Sequence, residues 1–556
     1  MLPADYIAST FLFLSAFFRV APKSTVQFGS TTLNGASYLN GSVEFYGGIP
    51  YAEPPLGDLR FKPPVYRRRL TVPTLNASAY GMACLQPTTS VSNDTGSEDC
   101  LTINVYKPAG LAKDVTLPVM AWIHGGGFKL GASYEFNATE LVAQSIARGT
   151  PIVYVNFNYR LGPLGFAPGR EALEQNALNL GLRDQLAALK WVQDNIAFFN
   201  GDKDKVTVFG ESAGAISAGV LHLNSNLKGL AHAMILESGS PGTGMVYDAH
   251  RRQADWDNFV HAIPECAHRT SDSIACLQQA NVSTSDILQA YLTANAESAF
   301  DYPWVPTLDG PDGLLPDLPS VLMDEGRFTR VPFITGTVLD EGTLFATPHM
   351  SSAAMIHSYL ISNYSASDEI VDKLIALYPD DPAFGSPFGT GDKTFGLNPQ
   401  WKRYAAIIGD LLFISHCRAI AQNAAKFGID AFGYRFNDAG AQPVLEPFFS
   451  NIPADLSYLG VAHTTEIPYV YGYTSLLSNP PSAAPLARMI ADYWLSFATS
   501  LNPNDGLGIN RPQWPKYTVK YPTILQLSSA NTSAIPDDFR EAQIEFINSN
   551  AKALRR

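Results

Sequence analysis

Gly210-Glu211-Ser212-Ala213-Gly214 decides the fold of this chain and most of its chemistry. The pentapeptide follows an apolar, β-branched run, Val206-Thr207-Val208-Phe209. It precedes a small-residue stretch of helical character, Ala215–Leu223. A serine on a sharp strand-to-helix turn has its hydroxyl pushed clear of the backbone, with N–H groups facing any carbonyl it attacks. Glycine flanks the turn because a side chain there would strike the adjoining strand or helix. A glycine-rich turn can match G-x-S-x-G by chance, in roughly one chain in five of this length. The strand before it and the helix after it answer part of that objection. An oxyanion hole, a base and an acid in a consistent order must answer the rest.

The oxyanion element lies upstream. Leu117–Ile123 reads as a buried strand and ends in His124-Gly125-Gly126-Gly127-Phe128. Three consecutive glycines cost conformational entropy. They make sense where backbone N–H groups approach a ligand closely, and the run matches an H-G-G-G oxyanion loop. The expected donors are the N–H groups of Gly126, Gly127 and Ala213.

The order Ser…acid…His places the base late in the chain. His222 and His232 sit too close to the serine in helix and strand to reach back, and His416 lies inside a helix. His463 is the last histidine and occupies the loop Leu459-Gly460-Val461-Ala462-His463-Thr464-Thr465-Glu466. The acid should follow a strand. Val331–Val338 runs into Leu339-Asp340-Glu341-Gly342, where Asp340 and Glu341 both satisfy the chemistry.

Around these motifs strands alternate with helices. Thr102–Tyr106, Ile152–Asn158, His232–Glu237, Val331–Thr335 and Ala431–Phe436 read as strands. Leu182, Leu186, Leu189, Val192 and Ile196 share one helix face, and Ala484–Thr499 is amphipathic. The alternation predicts an α/β fold with a large, mostly parallel sheet covered by helices. Val26–Tyr51 predicts a small antiparallel sheet at the N-terminus.

The chain has 556 residues, 46% of them hydrophobic, with no internal repeat and no low-complexity linker. One large domain over 22–556 fits better than several modules. The net charge of −13 disfavours nucleic acid and anionic membrane surfaces as partners. Ile7–Phe18 is a 12-residue apolar run, too short to span a bilayer and of signal-peptide size, so residues 1–21 read as a signal peptide. Seven N-glycosylation sequons, at Asn40, Asn76, Asn93, Asn137, Asn281, Asn363 and Asn531, point to secretion. So do the cysteines. Cys84 and Cys100 enclose a short polar loop, and Cys266 and Cys276 a shorter stretch, as local disulfides do. Metal-binding spacing is missing, so no metal is expected. Cys417 reads as an inert buried thiol.

Taken together, the chain resembles type-B carboxylesterases of the α/β-hydrolase fold, the family of fungal lipases, sterol esterases and cholinesterases. The resemblance runs through nearly the whole chain after the N-terminal segment. It rests on Gly48–Ala52 with Leu59-Arg60-Phe61, Ser97–Val105, His124–Phe128, Asn158-Tyr159-Arg160, Gly181–Gln185, Phe209–Gly214, Asp340–Thr343, His463 and Trp494–Phe497. Gly385-Ser386-Pro387-Phe388 and Trp401–Phe413 are most similar to the secreted fungal lipase branch. The resemblance implies Glu341 rather than Asp340 as the acid, disulfides Cys84–Cys100 and Cys266–Cys276, no cofactor, and a small-molecule or lipid ester as substrate without stable membrane insertion. Two departures narrow it. The loop Leu85–Asp99 is short and polar where fungal lipases carry a long amphipathic flap. It also has no Trp, Tyr or Phe, where cholinesterases hold a quaternary ammonium. The expectation is a Ser212–His463–Glu341 esterase for short- to medium-chain esters. The alternatives are a long-chain lipase or sterol esterase, and a non-catalytic adhesion-type homologue.

Overall fold

Alternation along the central strands sorts their side chains between two cores. Val119, Ala121 and Ile123 join one buried cluster with Val208, while Met120 and Trp122 join the other with Phe209. A strand sandwiched this way must be apolar on both faces, which explains its near-continuous hydrophobic character. The computed structural model describes residues 24–88, 95–269, 271–364, 366–438, 440, 456–474 and 480–556. Among these, thirteen strands form one sheet. Its centre runs, in spatial order, Val153–Phe157, Leu117–Ile123, Gly201–Glu211, Ala233–Glu237, Phe333–Val338, Ala431–Phe436 and Thr523–Leu527, every neighbouring pair parallel.

The N-terminal strands Ser24–Phe28, Thr31–Tyr38 and Val43–Pro50 are antiparallel, as expected. They do not form a separate sheet. Val43–Pro50 pairs with Thr102–Pro108, which pairs with Val153–Phe157, so the ladder continues into the main sheet. The predicted boundary 1–21 lies outside the described residues.

Helices cover both faces. Leu180–Asn195 and Ala213–His222 pack on one side, with Leu182, Leu189 and Val192 buried as the sequence spacing demands and Leu186 partly covered. Pro480–Ser500 packs on the other, carrying Trp494 into the second core. Pro399–Lys426 is apolar and long enough to cross a membrane, yet it is buried inside the fold as a core helix. Its middle, Asp410–Ile414, is a π-helical turn. Such turns are rare and recur near functional sites. Here the turn delivers Leu412 and Phe413 to the cavity above the sheet.

Candidate active site

The strand Gly201–Glu211 ends where the helix Ala213–His222 begins, and Ser212 is the single residue between them. Its backbone sits at φ 54°, ψ −125°, a conformation that costs a non-glycine residue free energy and persists only where surroundings enforce it. Three constraints do so here. Ser212 N–H donates to Glu237 O at 2.9 Å, and Ile216 N–H donates to Ser212 O at 2.8 Å. The strand ladder holds Gly210 against Ile123. A Cβ at Gly214 would lie 1.9 Å from Ile123 O, and one at Gly210 2.6 Å from the same atom. Both flanking glycines are therefore required by space, as the sequence reading argued.

The glycine loop after Leu117–Ile123 turns back on itself. Gly126 has φ 107°, and a Cβ there would lie 2.1 Å from Leu130 O. Gly127 is also left-handed, with φ 61°. Both line a cavity of about 110 Å³ together with Ala213, Ser212 and His463. His124 faces away from this chemistry. Its ring stacks on Tyr159 at 4.4 Å, and burial pushes its pKa down to about 4. Tyr159 also donates its hydroxyl proton to His124 O, which anchors the start of the loop.

The two adjacent acids separate cleanly. Glu341 turns toward His463, with its carboxylate 2.6 Å from Nδ1 and its other oxygen accepting Val338 N–H at 3.0 Å. Asp340 turns the opposite way. One oxygen accepts from Ser386 Oγ (2.9 Å) and Phe388 N–H (2.8 Å), and the other from Val461 N–H (2.9 Å). Asp340 thus clamps the backbone two residues before His463. Burial pushes its pKa up to about 6 despite these donors. The Gly385–Phe388 motif gains its reason here: it supplies two of the three donors.

The His463 ring is wedged between Phe345 (5.0 Å) and Phe413 (4.6 Å). Thr464, next in the chain, has φ 78°, unusual for a β-branched residue and a mark of a loop held by its surroundings. His463 lines the same cavity as Ser212.

Sequence reasoning missed a buried acidic group beneath this histidine. Glu211 Oε1 lies 3.1 Å from His463 Nε2. Glu237 accepts from Trp494 Nε1 at 2.7 Å, and Glu466 accepts from Ser238 Oγ at 3.0 Å. Burial first, and the charge of Glu466 second, push Glu211 and Glu237 well above the ordinary carboxylate range, while burial and then the charge of Glu341 push Glu466 up to about 8. All three favour their neutral forms. Glu211 occupies the variable position of the serine motif and Glu466 follows His463 by three. Each was visible, but nothing in their spacing shows that they meet.

Much of the cavity wall is apolar, built from Tyr302, Val305, Leu344, Phe345, Leu412 and Phe413, with Lys129 and Arg252 also lining it. Tyr302 and Val305 come from the segment after the helix Thr284–Glu297, and no described residue of the Cys84–Cys100 loop lines the cavity. The disulfides join Cys84 to Cys100 and Cys266 to Cys276. Cys417 is free and buried, and burial pushes its thiol up to about 12. Asn40, Asn76, Asn281 and Asn531 are exposed and Asn137 is half-buried, while Asn93 lies outside the described residues. Asn363 is buried, and its Nδ2 donates to Tyr359 O, so it is poorly placed to carry a glycan.

Residues 22–547 match the model of the carboxylesterase family. Lipase 1 of Geotrichum candidum is 34% identical, over 98% of this chain and 99% of its own length. The secreted triacylglycerol lipase LIP1 of Gibberella zeae is also 34% identical, over 96% of this chain and 91% of its own. Among solved structures, Aspergillus niger EstA superimposes with a TM-score of 0.83 at 27% identity, covering 96% of this chain and 99% of that one. The large, mostly parallel sheet with its covering helices is accordingly the α/β-hydrolase fold. This chain belongs to the carboxylesterase family and is a carboxylic ester hydrolase.

Proposed function

We propose that Ser212, His463 and Glu341 form the catalytic triad of this hydrolase and that it works through an acyl-enzyme. The carrying observation is that Glu341 binds His463 Nδ1 at 2.6 Å while His463 and Ser212 line one cavity. A carboxylate on Nδ1 fixes the imidazole tautomer that leaves Nε2 able to accept a proton. Ser212 Oγ attacks the ester carbonyl as His463 takes its proton. The new oxyanion is held by the N–H groups of Gly126, Gly127 and Ala213. The tetrahedral species expels the alcohol, which receives the proton from His463, and leaves an acyl group on Ser212. Water then repeats the sequence in reverse and releases the acid.

Substrates are short- to medium-chain esters, and the enzyme is secreted. The small cavity at the serine, about 110 Å³, supports the first reading. The disulfides, the exposed sequons and the secreted relatives support the second. Long-chain lipolysis is the competing reading, favoured by relatives named as lipases. A series of p-nitrophenyl esters from acetate to palmitate, run beside emulsified tributyrin, decides between them. Saturation kinetics below the solubility limit, with best turnover at two to eight carbons, is expected. Negligible rates below that limit and a steep rise above it would establish a lipase instead.

A further inference from the structure

The cavity at Ser212 continues into a second one of about 520 Å³, and two cations sit where they join. Lys129 and Arg252 each line both spaces. Arg252 is 4% exposed. Its guanidinium donates one N–H to Pro303 O and rests against Phe300 and Tyr247. Its Nε has no hydrogen-bond partner among the described residues. Burial lowers its pKa to about 10, which still leaves it charged at neutral pH. Lys129 Nζ lies 4.8 Å over the Tyr302 ring. Among the described residues neither cation forms an ion pair. Asp255 and Asp301 act on them only from a distance, and the Asp301 carboxylate is taken by the Tyr359 hydroxyl.

Asp255 offsets part of the Arg252 charge without ion-pair contact, and a buried guanidinium left only partly compensated is costly. A neutral, purely apolar acyl or alcohol chain makes no charge-assisted contact with either cation. We propose that Lys129 and Arg252 form an anion subsite, and that this enzyme prefers esters whose acyl or alcohol half carries a carboxylate. This inference rests on the triad reading, because it places the subsite in the cavity that Ser212 serves. A carboxylate accepts strongly from guanidinium N–H groups, and Arg252 Nε has no partner among the described residues.

Two matched substrate pairs test it. Mono-p-nitrophenyl glutarate against its methyl ester places the charge on the acyl half. 4-Carboxyphenyl butyrate against 4-methoxycarbonylphenyl butyrate places it on the alcohol half. The readout is the ratio of kcat/KM for the charged ester to that for its neutral partner. Both values come from one preparation, so any loss of folded protein cancels. Lys129→Met and Arg252→Gln should each lower this ratio by about tenfold in one of the two arms, chiefly through KM of the charged ester. The arm that responds identifies which half enters the subsite. Ratios unmoved by both variants, in an enzyme that cleaves p-nitrophenyl butyrate, would overturn the subsite alone. A folded protein that cleaves none of these esters would overturn the triad reading beneath it.

Discussion

The serine turn and the histidine loop are built in opposite ways. Ser212 is enforced by its immediate neighbours: two glycines, the first turn of a helix and the two strands that flank its own. His463 is enforced from afar. Its acid lies 122 positions upstream, and Asp340, Ser386, Phe388, Phe345 and Phe413 hold its loop from three separate segments. A locally encoded site fails sharply when one residue changes. A site held by many distant groups fails by degrees, because each contact contributes part of the geometry.

The largest expected effects fall on the reacting groups themselves. Ser212→Ala, His463→Ala and Glu341→Gln should each lower kcat by about 10⁴- to 10⁶-fold, with the fold retained by circular dichroism. Because the three act as one unit, Ser212→Ala combined with His463→Ala should lose little more than the worse single variant. Additive losses would mean that the two residues act independently, and the comparison would break at its first premise.

Next comes the glycine loop. Gly127→Val should cost about 10²- to 10³-fold in kcat with little change in KM, since the oxyanion exists mainly in the transition state. Gly214→Ala is a structural counterpart, with its Cβ set 1.9 Å from Ile123 O. It should reduce soluble yield rather than KM, and a well-expressed, fully active Gly214→Ala would refute the claim that space dictates this glycine.

Asp340→Asn probes the distant clamp. An amide cannot accept from Val461 N–H on one side and from Ser386 and Phe388 on the other without presenting a donor to a donor. The expected loss is about 1–3 kcal/mol of stability by urea denaturation. The fall in kcat per folded molecule should be much smaller than in Glu341→Gln. An Asp340→Asn enzyme less active per folded molecule than Glu341→Gln would exchange the roles of the two acids.

The smallest effect concerns pH. Glu466 holds its proton more tightly folded (about 8) than at its ordinary value of 4.5, through burial and then the charge of Glu341. Its stabilising contribution is therefore complete below about pH 4.5 and lost as pH rises through 8. Glu466→Gln does not titrate, so its Tm should fall less between pH 4.5 and 8 than that of the parent. Identical slopes in a thermal-shift series would show that Glu466 is ionised throughout.

Legibility followed the same division. The serine turn, the glycine loop and the positions of the central strands could be read from sequence because each depends on neighbours a few residues apart. Several quoted motifs proved to be halves of long-range pairs. Arg60 meets Glu98 at 2.8 Å, and Arg160 meets Asp184 at 2.7 Å, which ties Leu59–Phe61 to Ser97–Val105 and Asn158–Arg160 to Gly181–Gln185. Periodicity says nothing about such partners. For the same reason residues alone left Asp340 and Glu341 equivalent. Their difference lies in which direction each side chain leaves the strand end, and resemblance to a family, not spacing, separated them. The buried trio Glu211, Glu237 and Glu466 was illegible because three carboxylates in sequence look like solvated charge. Only the fold removes their water.

The central claim is that one serine on a strained turn becomes acylated. Rapid acid quench during turnover of p-nitrophenyl butyrate, followed by peptide mass spectrometry, tests it most directly. A butyryl group is expected on the peptide containing Ser212 and none in Glu341→Gln or Ser212→Ala. Acylation of another residue, or undiminished ester cleavage by Ser212→Ala, would contradict it.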